Sequence, residues 1–313
     1  MKAFASTQDL ETKPARFEEL AAGVYAYTTS GDPNCGAIVG PDGVLVIDAR
    51  ATPALARELI AEIRNVTPQP FRWLALTHYH AVRTLGASAF NAPSIIAHRN
   101  THALVLERGQ QDFDSERGRF PRLFRDVNEV PGLTVPNVTF DRELTLHLGE
   151  REVRLLHLGR AHTEGDAAIF LPRERVLFAG DLVEAGAAPY CGDAFLQDWL
   201  ETLERVRALN AEVLVPGRGP TVRGAAVGQA IQDTKEYLSV LFNTVAECVR
   251  QEASLKQAYD AALAALTPRF GKWTIFEHCL PFNVSRAYDE ASGVRPRIWT
   301  ATRDRAMWDA LTG

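Results

Sequence analysis

Two histidines, His78 and His80, stand one residue apart, directly after an apolar run at residues 71–76. Alternate residues of an extended segment project to the same side, so both imidazoles can face one ion. Imidazole is the commonest metal ligand among protein side chains. The pair therefore predicts a metal site at the point where a strand ends.

Three more loops, each after a predicted strand, place a polar residue where it could meet the histidine pair. They carry His162, Asp181 and Arg218. In layered α/β folds, residues that follow neighbouring strands come together at one edge of the sheet. A single buried histidine, or an aspartate after a strand, usually has only a local structural role. The prediction of a site therefore depends on the joint occurrence of these residues.

Hydrophobic periodicity and turn signals predict alternating strands and helices. A helix is predicted at residues 53–66, with Thr52 as its cap and Pro53 at its first position. Residues 107–130 are charged and lack a clear period, and we predict irregular structure there. Strands are predicted at 23–29, 36–40, 44–48, 71–76, 94–97, 138–140, 144–147, 152–158, 167–171, 175–180 and 212–215, and another helix at 198–209. The alternation predicts a layered α/β fold.

The character of the chain changes after residue 224. Residues 225–266 are rich in Ala, Leu, Gln and Glu and show a helical pattern, and residues 270–308 are rich in aromatic side chains. We therefore predict a main domain at residues 1–224 and a C-terminal helical extension at residues 225–313 that packs back on it.

Composition narrows the class of partner. The 313-residue chain is 46% hydrophobic and 23% charged, which is ordinary for a globular protein with one large core. Its net charge of −5 and pI near 5.9 favour neither nucleic acid nor an anionic membrane, so we expect a small-molecule substrate. A homodimer is left open. The scattered cysteines indicate reduced thiols, and the polar N-terminus leads us to expect a cytoplasmic location.

The four polar loops have a recognisable order. They read THYHAVR at residues 77–83, GRAHTEGD at 159–166, GD at 180–181 and PGRG at 216–219. This series resembles the metallo-β-lactamase superfamily, whose loops read Thr-His-x-His-x-Asp-His, Gly-His-Thr-x-Gly-Asp, Gly-Asp and Pro-Gly-His-Gly. The resemblance implies a four-layer αββα sandwich with the site at one edge, between the two sheets.

The resemblance also implies roles for individual residues. His78, His80 and His162 match the three imidazole ligands of the family's first metal ion. Asp181 matches the carboxylate that bridges to the second ion. Three imidazoles with one open or carboxylate position are a recognised catalytic zinc arrangement.

The second metal site departs from the family pattern at three positions. Val82 stands in place of an aspartate ligand, and Arg83 and Arg218 stand in place of histidine ligands. Valine cannot coordinate a metal, and a guanidinium stays protonated and has no lone pair to donate. We therefore predict one metal ion beside a fixed positive charge.

The first functional hypothesis is a mononuclear zinc-dependent hydrolase of a small, anionic substrate. The ion, held by the three histidines and Asp181, would lower the pKa of a bound water toward about 7. Asp181, Arg83 and Arg218 are the predicted catalytic residues, because the arginines can bind an anionic substrate group or stabilise an oxyanion. The family's aspartate that helps to orient the attacking water is replaced by Val82.

Two alternatives stay open. One is an iron oxygenase of the persulfide dioxygenase type, in which one Fe2+ would use His78, His162 and Asp181. The other is a metal-free binding protein on the same fold, in which Arg83, Arg218 and Asp181 form a buried ion-pair network. The three intact histidines favour the metal-binding hypotheses.

Several other residues carry weaker signals. Asp48 and Asp166 match positions that support the family's site by hydrogen bonding, although both also suit turn caps. His278 could cover the site or carry protons, and the competing interpretation is a packed structural histidine. Tyr190 and Cys191 are expected to line the pocket. The remaining histidines match no ligand position and are predicted to be structural or surface residues: His98, His102, His147 and His157.

Overall fold

Two β-sheets face each other at the centre of the molecule, whose computed structural model describes residues 3–313. The first contains β1 (Ala15–Ala21), β2 (Val24–Thr29), β3 (Cys35–Val39), β4 (Val44–Ile47), β5 (Phe71–Ala75), β6 (Ser94–His98) and β7 (Val138–Phe140) in chain order. The second contains β8 (Glu143–Leu148), β9 (Arg151–Leu156), β10 (Ala168–Leu171), β11 (Val176–Gly180), β12 (Val213–Pro216) and β13 (Val222–Arg223), also in chain order.

Eight α-helices surround the sheets in the described part of the chain. They are α1 (Pro53–Val66), α2 (Ala81–Thr84), α3 (Arg99–Arg119), α4 (Leu196–Ala208), α5 (Ala225–Arg250), α6 (Leu255–Phe270), α7 (Phe276–Ala291) and α8 (Ala301–Thr312). The predicted start of α1 is confirmed, since the Thr52 side chain accepts a hydrogen bond from the Leu55 N–H at 3.3 Å. Parallel pairing of β4 with β5 and of β5 with β6 brings the ends of these strands to one edge.

Alternation of side chains along the strands separates the layers. Ile47 of β4 and Phe178 of β11 belong to the buried cluster between the sheets. Their neighbours point the other way: Val46 packs in the cluster that contains α1, and Leu177 packs in the cluster that contains α4. Each sheet thus buries one face against the other sheet and one against helices. The predicted four-layer αββα sandwich is confirmed.

The C-terminal helices share a hydrophobic core with the second sheet. Tyr237 of α5, Phe282 of α7 and Trp308 of α8 belong to the same buried cluster as Trp199 of α4. The predicted helical extension is therefore present and is packed on the sandwich. Among residues 3–313, no helix combines the length and the apolar character that crossing a membrane requires.

One prediction about secondary structure was wrong. The stretch expected to be irregular at residues 107–130 contains the second half of α3, followed by short 3-10 turns. The inward face of this half-helix is largely polar, with Asp112, Ser115, Glu116 and Arg119 buried. A helix that buries polar side chains shows no apolar period, so the pattern that normally reveals a helix was missing.

Gly86, just after α2, tests how closely the histidine loop packs on the first sheet. A Cβ at this position would lie 2.1 Å from the Ala49 carbonyl oxygen and 2.9 Å from that of Thr52. We expect Gly86→Ala to lower the free energy of unfolding by about 1–3 kcal/mol, because backbone must move to make room. Urea unfolding measures the effect.

The matched control is Gly228→Ala in α5, where an added Cβ meets no atom within 4 Å. This change should raise stability by about 0.5–1 kcal/mol, since alanine is the better helix former. Equal unfolding free energies for wild type and Gly86→Ala would contradict the close packing.

Candidate metal centre

Three imidazoles meet at the edge of the sandwich. His78 and His80 follow β5, and His162 follows β9. Their ligating nitrogen atoms all lie within 4.8 Å of one another. The three side chains are 1%, 2% and 1% exposed, respectively. The structure therefore brings together the three histidines that the sequence predicted as ligands.

Hydrogen bonds on the outer side of two rings define where their lone pairs lie. The Thr77 hydroxyl donates to Asp48 Oδ2 at 2.8 Å, so its oxygen is left to accept from Nδ1 of His78 at 3.0 Å. Nδ1 of His162 lies 2.7 Å from the Tyr190 carbonyl oxygen, which can only accept. In both rings Nδ1 carries the proton and Nε2 keeps the lone pair. Nε2 of His78 has no partner among the described residues.

The third ring is held from its other nitrogen. Nε2 of His80 lies 3.2 Å from Asp193 Oδ2 and 4.0 Å from Asp112 Oδ1, while Nδ1 faces Nε2 of His162 at 3.0 Å. A carboxylate behind a ligating histidine fixes its orientation and raises its basicity. The converging nitrogens are thus Nε2 of His78, Nδ1 of His80 and Nε2 of His162.

The surroundings set the charge of each ring. Burial lowers the pKa of His78 well below its usual range and that of His162 to about 3, so both are neutral at neutral pH. Burial also opposes a charge on His80, but the carboxylates of Asp112 and Asp193 outweigh it and raise the pKa to about 9. Without metal, His80 is thus protonated and donates to His162. Metal binding must release that proton.

This donor set fits a divalent metal ion. Three imidazole nitrogens converge, two of them are neutral, and the outer nitrogen of every ring has a hydrogen-bond partner. A zinc ion is held in this way at many catalytic sites. The unpartnered Nε2 of His78 is the atom that most needs such a partner, because an unpaired buried acceptor costs about 1–3 kcal/mol.

Asp181 lies beside the triad but is bound by two arginines. Its Oδ2 is 3.5 Å from Nε2 of His162 and 3.8 Å from Nε2 of His78. Arg83 donates to Oδ1 and Arg218 donates to Oδ2 at 2.9 Å. Burial opposes ionisation, but the two guanidinium groups hold the pKa of Asp181 well below its usual range. The carboxylate is therefore ionised and shared.

Arg83 has acceptors for all four of its Nη hydrogens. Nη1 donates to the Asn34 carbonyl at 2.8 Å and to Asp48 Oδ2 at 2.9 Å. Nη2 donates to the Gly217 carbonyl at 2.8 Å and to Asp181. This guanidinium thus binds the residue before β3 and residues just after β4, β11 and β12. Its predicted role toward substrate stays a prediction, as do those of Arg218 and Asp181.

Comparisons with known proteins identify the family. The family model described as the metallo-beta-lactamase superfamily matches residues 28–218, which is more than half of the chain. The chain belongs to the metallo-beta-lactamase superfamily. A metallo-beta-lactamase type 2 of a Bacillus species is 25% identical over 221 residues, covering 67% of this chain and 78% of the relative. A 2,4-dinitroanisole O-demethylase subunit alpha of a Nocardioides species is 26% identical over 211 residues, covering 66% and 58%, respectively.

Solved structures extend the comparison of the fold. A metallo-beta-lactamase from Pontibacter korlensis superposes with a TM-score of 0.58 at 21% identity, covering 72% of this chain and 99% of that chain. A double mutant of the sec-alkyl sulfatase PisA1 superposes with a TM-score of 0.71 at 16% identity, covering 88% of this chain and 50% of that chain. The second likeness of fold reaches into the helical extension.

This superfamily member holds its histidine loop with carboxylates that the sequence analysis missed. Asp112 accepts from the Ala81 N–H at 2.7 Å, and Glu116 accepts from the Val82 N–H at 3.1 Å. Both carboxylates lie on α3, four residues apart, and they accept hydrogen bonds from the free N–H groups at the start of α2. The four-residue spacing of Asp112 and Glu116 indicates a shared helix face, but only when residues 107–119 are assigned to a helix. Asp193 had no local signal.

The other predicted residues take varied positions. Asp166 accepts from the Thr163 N–H at 2.8 Å and from its hydroxyl at 2.7 Å, directly beside His162. The Tyr190 ring lies 5.7 Å from the ring of His80. His278 lies in α7 with its ring 3.9 Å from that of Phe120. Outside the site, the rings of His98 and His157 stack at 3.9 Å.

The ion-pair network around Arg83 yields a prediction about stability. In Arg83→Gln the buried carboxylates of Asp48 and Asp181 lose their shared partner, so the free energy of unfolding should fall by about 3–5 kcal/mol. As a control, Arg297→Gln removes an exposed arginine that pairs with Asp289 at 3.2 Å and should change it by less than about 1 kcal/mol. Similar unfolding midpoints for the two variants would contradict the proposed importance of the network.

The stacked histidines yield a prediction about pH. Burial, and then the neighbouring His157, lower the pKa of His98 to about 4, whereas an unfolded histidine titrates near about 6.5. Between these values the unfolded chain binds more protons, so stability falls as the pH is lowered from about 6.5 to 4. His98→Gln should reduce this dependence, and His147→Gln, at an exposed position, should not. Urea unfolding at pH 7.5 and 5.5 compares them, and identical slopes for all three proteins would refute the assignment.

Proposed function

We propose that this protein is a mononuclear, zinc-dependent hydrolase of a small, anionic substrate. The observation that carries the proposal is the convergence of three imidazole nitrogens whose tautomers are fixed from outside, with Nε2 of His78 left unpartnered. His78, His80 and His162 would hold the ion, and the role of Asp181 as a fourth ligand remains a prediction. When bound, zinc lowers the pKa of water to about 7 and so supplies a nucleophile at neutral pH.

The protein's own groups contribute orientation and charge. Asp193 holds the ring of His80, and the Thr77–Asp48 pair holds the ring of His78. Asp181 Oδ2, which lies within 4 Å of two ring nitrogens, is placed to accept a hydrogen bond from a water molecule beside them. Its ionised form is maintained by the two arginines, so it orients the water rather than donating a proton.

The arginines support one ion rather than two. Arg83 occupies the predicted position of a second-site ligand and places a permanent positive charge there. A second dication beside two guanidinium groups would meet repulsion, and the nearby carboxylates of Asp181, Asp48 and Glu184 are already paired with those groups. The relatives' names describe a lactamase, an O-demethylase and alkylsulfatases, which do not agree on one reaction. We propose an anionic substrate because two guanidinium groups, those of Arg83 and Arg218, lie beside the histidine triad.

A metal-free binding protein is the second candidate, and one observation favours it. Both oxygens of Asp181 accept from guanidinium groups, and His80 in its protonated form donates to His162, so the cluster is largely satisfied without an ion. The same use of Asp181 weighs against the iron oxygenase, because that site would need the carboxylate as a ligand. A cytoplasmic location and a small-molecule partner remain predictions, and a homodimer remains open.

Metal content tests the proposal. The purified chain, stripped with a chelator and then dialysed against zinc, should retain about one zinc per chain by elemental analysis. His78→Ala and His162→Ala should each retain much less, because the donor set falls to two imidazoles. Arg218→Gln should retain the ion, since Arg218 is no ligand.

Activity follows in the same samples. The zinc-loaded wild type should hydrolyse at least one member of a chromogenic panel of sulfate, carboxylate and phosphate esters, and the stripped protein and His162→Ala should not. Equal zinc in wild type and His162→Ala, or no zinc in either, would remove the metal-dependent hydrolase and leave the binding protein. Two zinc ions per chain would refute the mononuclear site.

A further inference from the structure

One short loop, residues 189–194, supplies the outer hydrogen bonds of two rings of the triad. The Tyr190 carbonyl accepts from Nδ1 of His162 at 2.7 Å, and Oδ2 of Asp193 lies 3.2 Å from Nε2 of His80. The 189–194 loop belongs to no helix or strand. Regular secondary structure therefore fixes neither group, and their positions depend on contacts from other segments.

Asn283 of α7 binds the loop on both sides of Tyr190. Its Nδ2 donates to the Pro189 carbonyl at 2.8 Å, and its Oδ1 accepts from the Cys191 N–H at 2.7 Å. Asn283 is 0% exposed, so water does not compete for these bonds. The Cys191 N–H and the Tyr190 carbonyl belong to the same planar peptide group. One buried amide thus orients the carbonyl that holds His162.

Asp193 is held from both sides in a similar way, by Arg286 of α7 and by Trp299. Trp299 Nε1 donates to the Gly192 carbonyl at 3.0 Å, and Arg286 Nε donates to the Ala194 carbonyl at 2.6 Å. Trp299 is 4% exposed and Arg286 is 3% exposed. The backbone on either side of the carboxylate that holds His80 is therefore fixed by the C-terminal extension.

One face of α7 carries the contacts that this helix makes with the loop and with the start of α4. Asn283, Arg286 and Glu290 are spaced by three and four residues, so they project to the same side of the helix. Arg286 Nη2 donates to Glu290 Oε2 at 2.7 Å. The Glu290 carboxylate also accepts from the N–H groups of Leu196 and Gln197, at 3.0 Å each. The loop and the helix that follows it are thus bound to a single polar face.

We propose that the C-terminal extension is a functional part of the metal centre, in which Asn283, Arg286 and Trp299 are positioning residues for two rings of the triad. They act through the 189–194 loop and are not ligands themselves. The outer partner of a ligating histidine orients its ring and supports metal affinity. The inference rests on the proposed function only in taking the triad to bind a metal ion, since the positioning of the rings does not require the ion.

The ring N–H protons at Nδ1 of His162 and Nε2 of His80 report the two outer hydrogen bonds. They are observed by NMR in the full-length chain, labelled with 15N-histidine and stripped of metal. Trp299→Phe keeps an aromatic ring and removes the donor to Gly192, so it should lose the slowly exchanging His80 signal and keep that of His162. Asn283→Leu keeps the side-chain volume and removes both bonds, so it should lose the His162 signal first.

Zinc affinity is measured in the same proteins by competition with a chromophoric chelator. Trp299→Phe and Asn283→Leu should each weaken zinc binding about tenfold, the lower end of the loss that follows mutation of a ligand's outer partner. Tyr288→Phe is the matched control. It also lies in α7 and removes one donor, to the Ala253 carbonyl at 2.9 Å, and should change neither zinc affinity nor the two ring signals.

The outcomes separate the positioning role from the proposed hydrolase. Unchanged ring signals and zinc affinity in both variants, or equal losses in Tyr288→Phe, would overturn the positioning role and leave the hydrolase standing. Loss of the ring signals in a chain that never retains zinc would keep the positioning role and remove the hydrolase. If Asn283→Leu does not fold, the comparison of Trp299→Phe with Tyr288→Phe decides alone.

Discussion

The buried carboxylate of Asp181, shared by Arg83 and Arg218, is the interaction on which the rest of the site depends. Asp181 follows β11 of the second sheet, and Arg83 lies in α2, which follows β5 of the first sheet. Arg83 also donates to Asp48 after β4 and to the Gly217 carbonyl after β12. One guanidinium thus fixes the edges of both sheets relative to each other. In the two-metal pattern that the sequence resembles, a second ion would lie between these groups. Here the Arg83 guanidinium binds them instead.

The ion-pair network around Arg83 is also connected to the proposed metal ligands. The Asp48 that accepts from Arg83 also accepts from Thr77, whose hydroxyl orients His78. The same network therefore holds Arg83 and His78, a proposed metal ligand. The other histidine of the loop, His80, is oriented by Asp193 and by Asp112 of α3. The candidate metal centre is therefore held by the loops of the sandwich on one side and by α3 on the other.

The sequence predicted most of what local patterns can encode. The period-2 strands, the capped α1 and the ordered histidine loops led to the αββα sandwich and to the convergence of His78, His80 and His162. The polar half of α3 was missed because it buries Asp112, Glu116 and Arg119 instead of an apolar stripe. Asp193 could not be found, since its contact with His80 joins residues 113 positions apart without any local pattern. The sequence allows Arg83 and Arg218 to pair with Asp181, but only the geometry shows that both carboxylate oxygens accept from them.

Anomalous diffraction at the zinc absorption edge, from crystals grown with zinc, tests the central claim most directly. We predict one peak per chain, about 2.0–2.1 Å from Nε2 of His78, Nδ1 of His80 and Nε2 of His162, with Arg83 still bound to Asp181. A second peak beside Asp181, with Arg83 displaced, would contradict the claim that a fixed cation has replaced the second ion. The absence of any peak at the triad would contradict the metal centre itself.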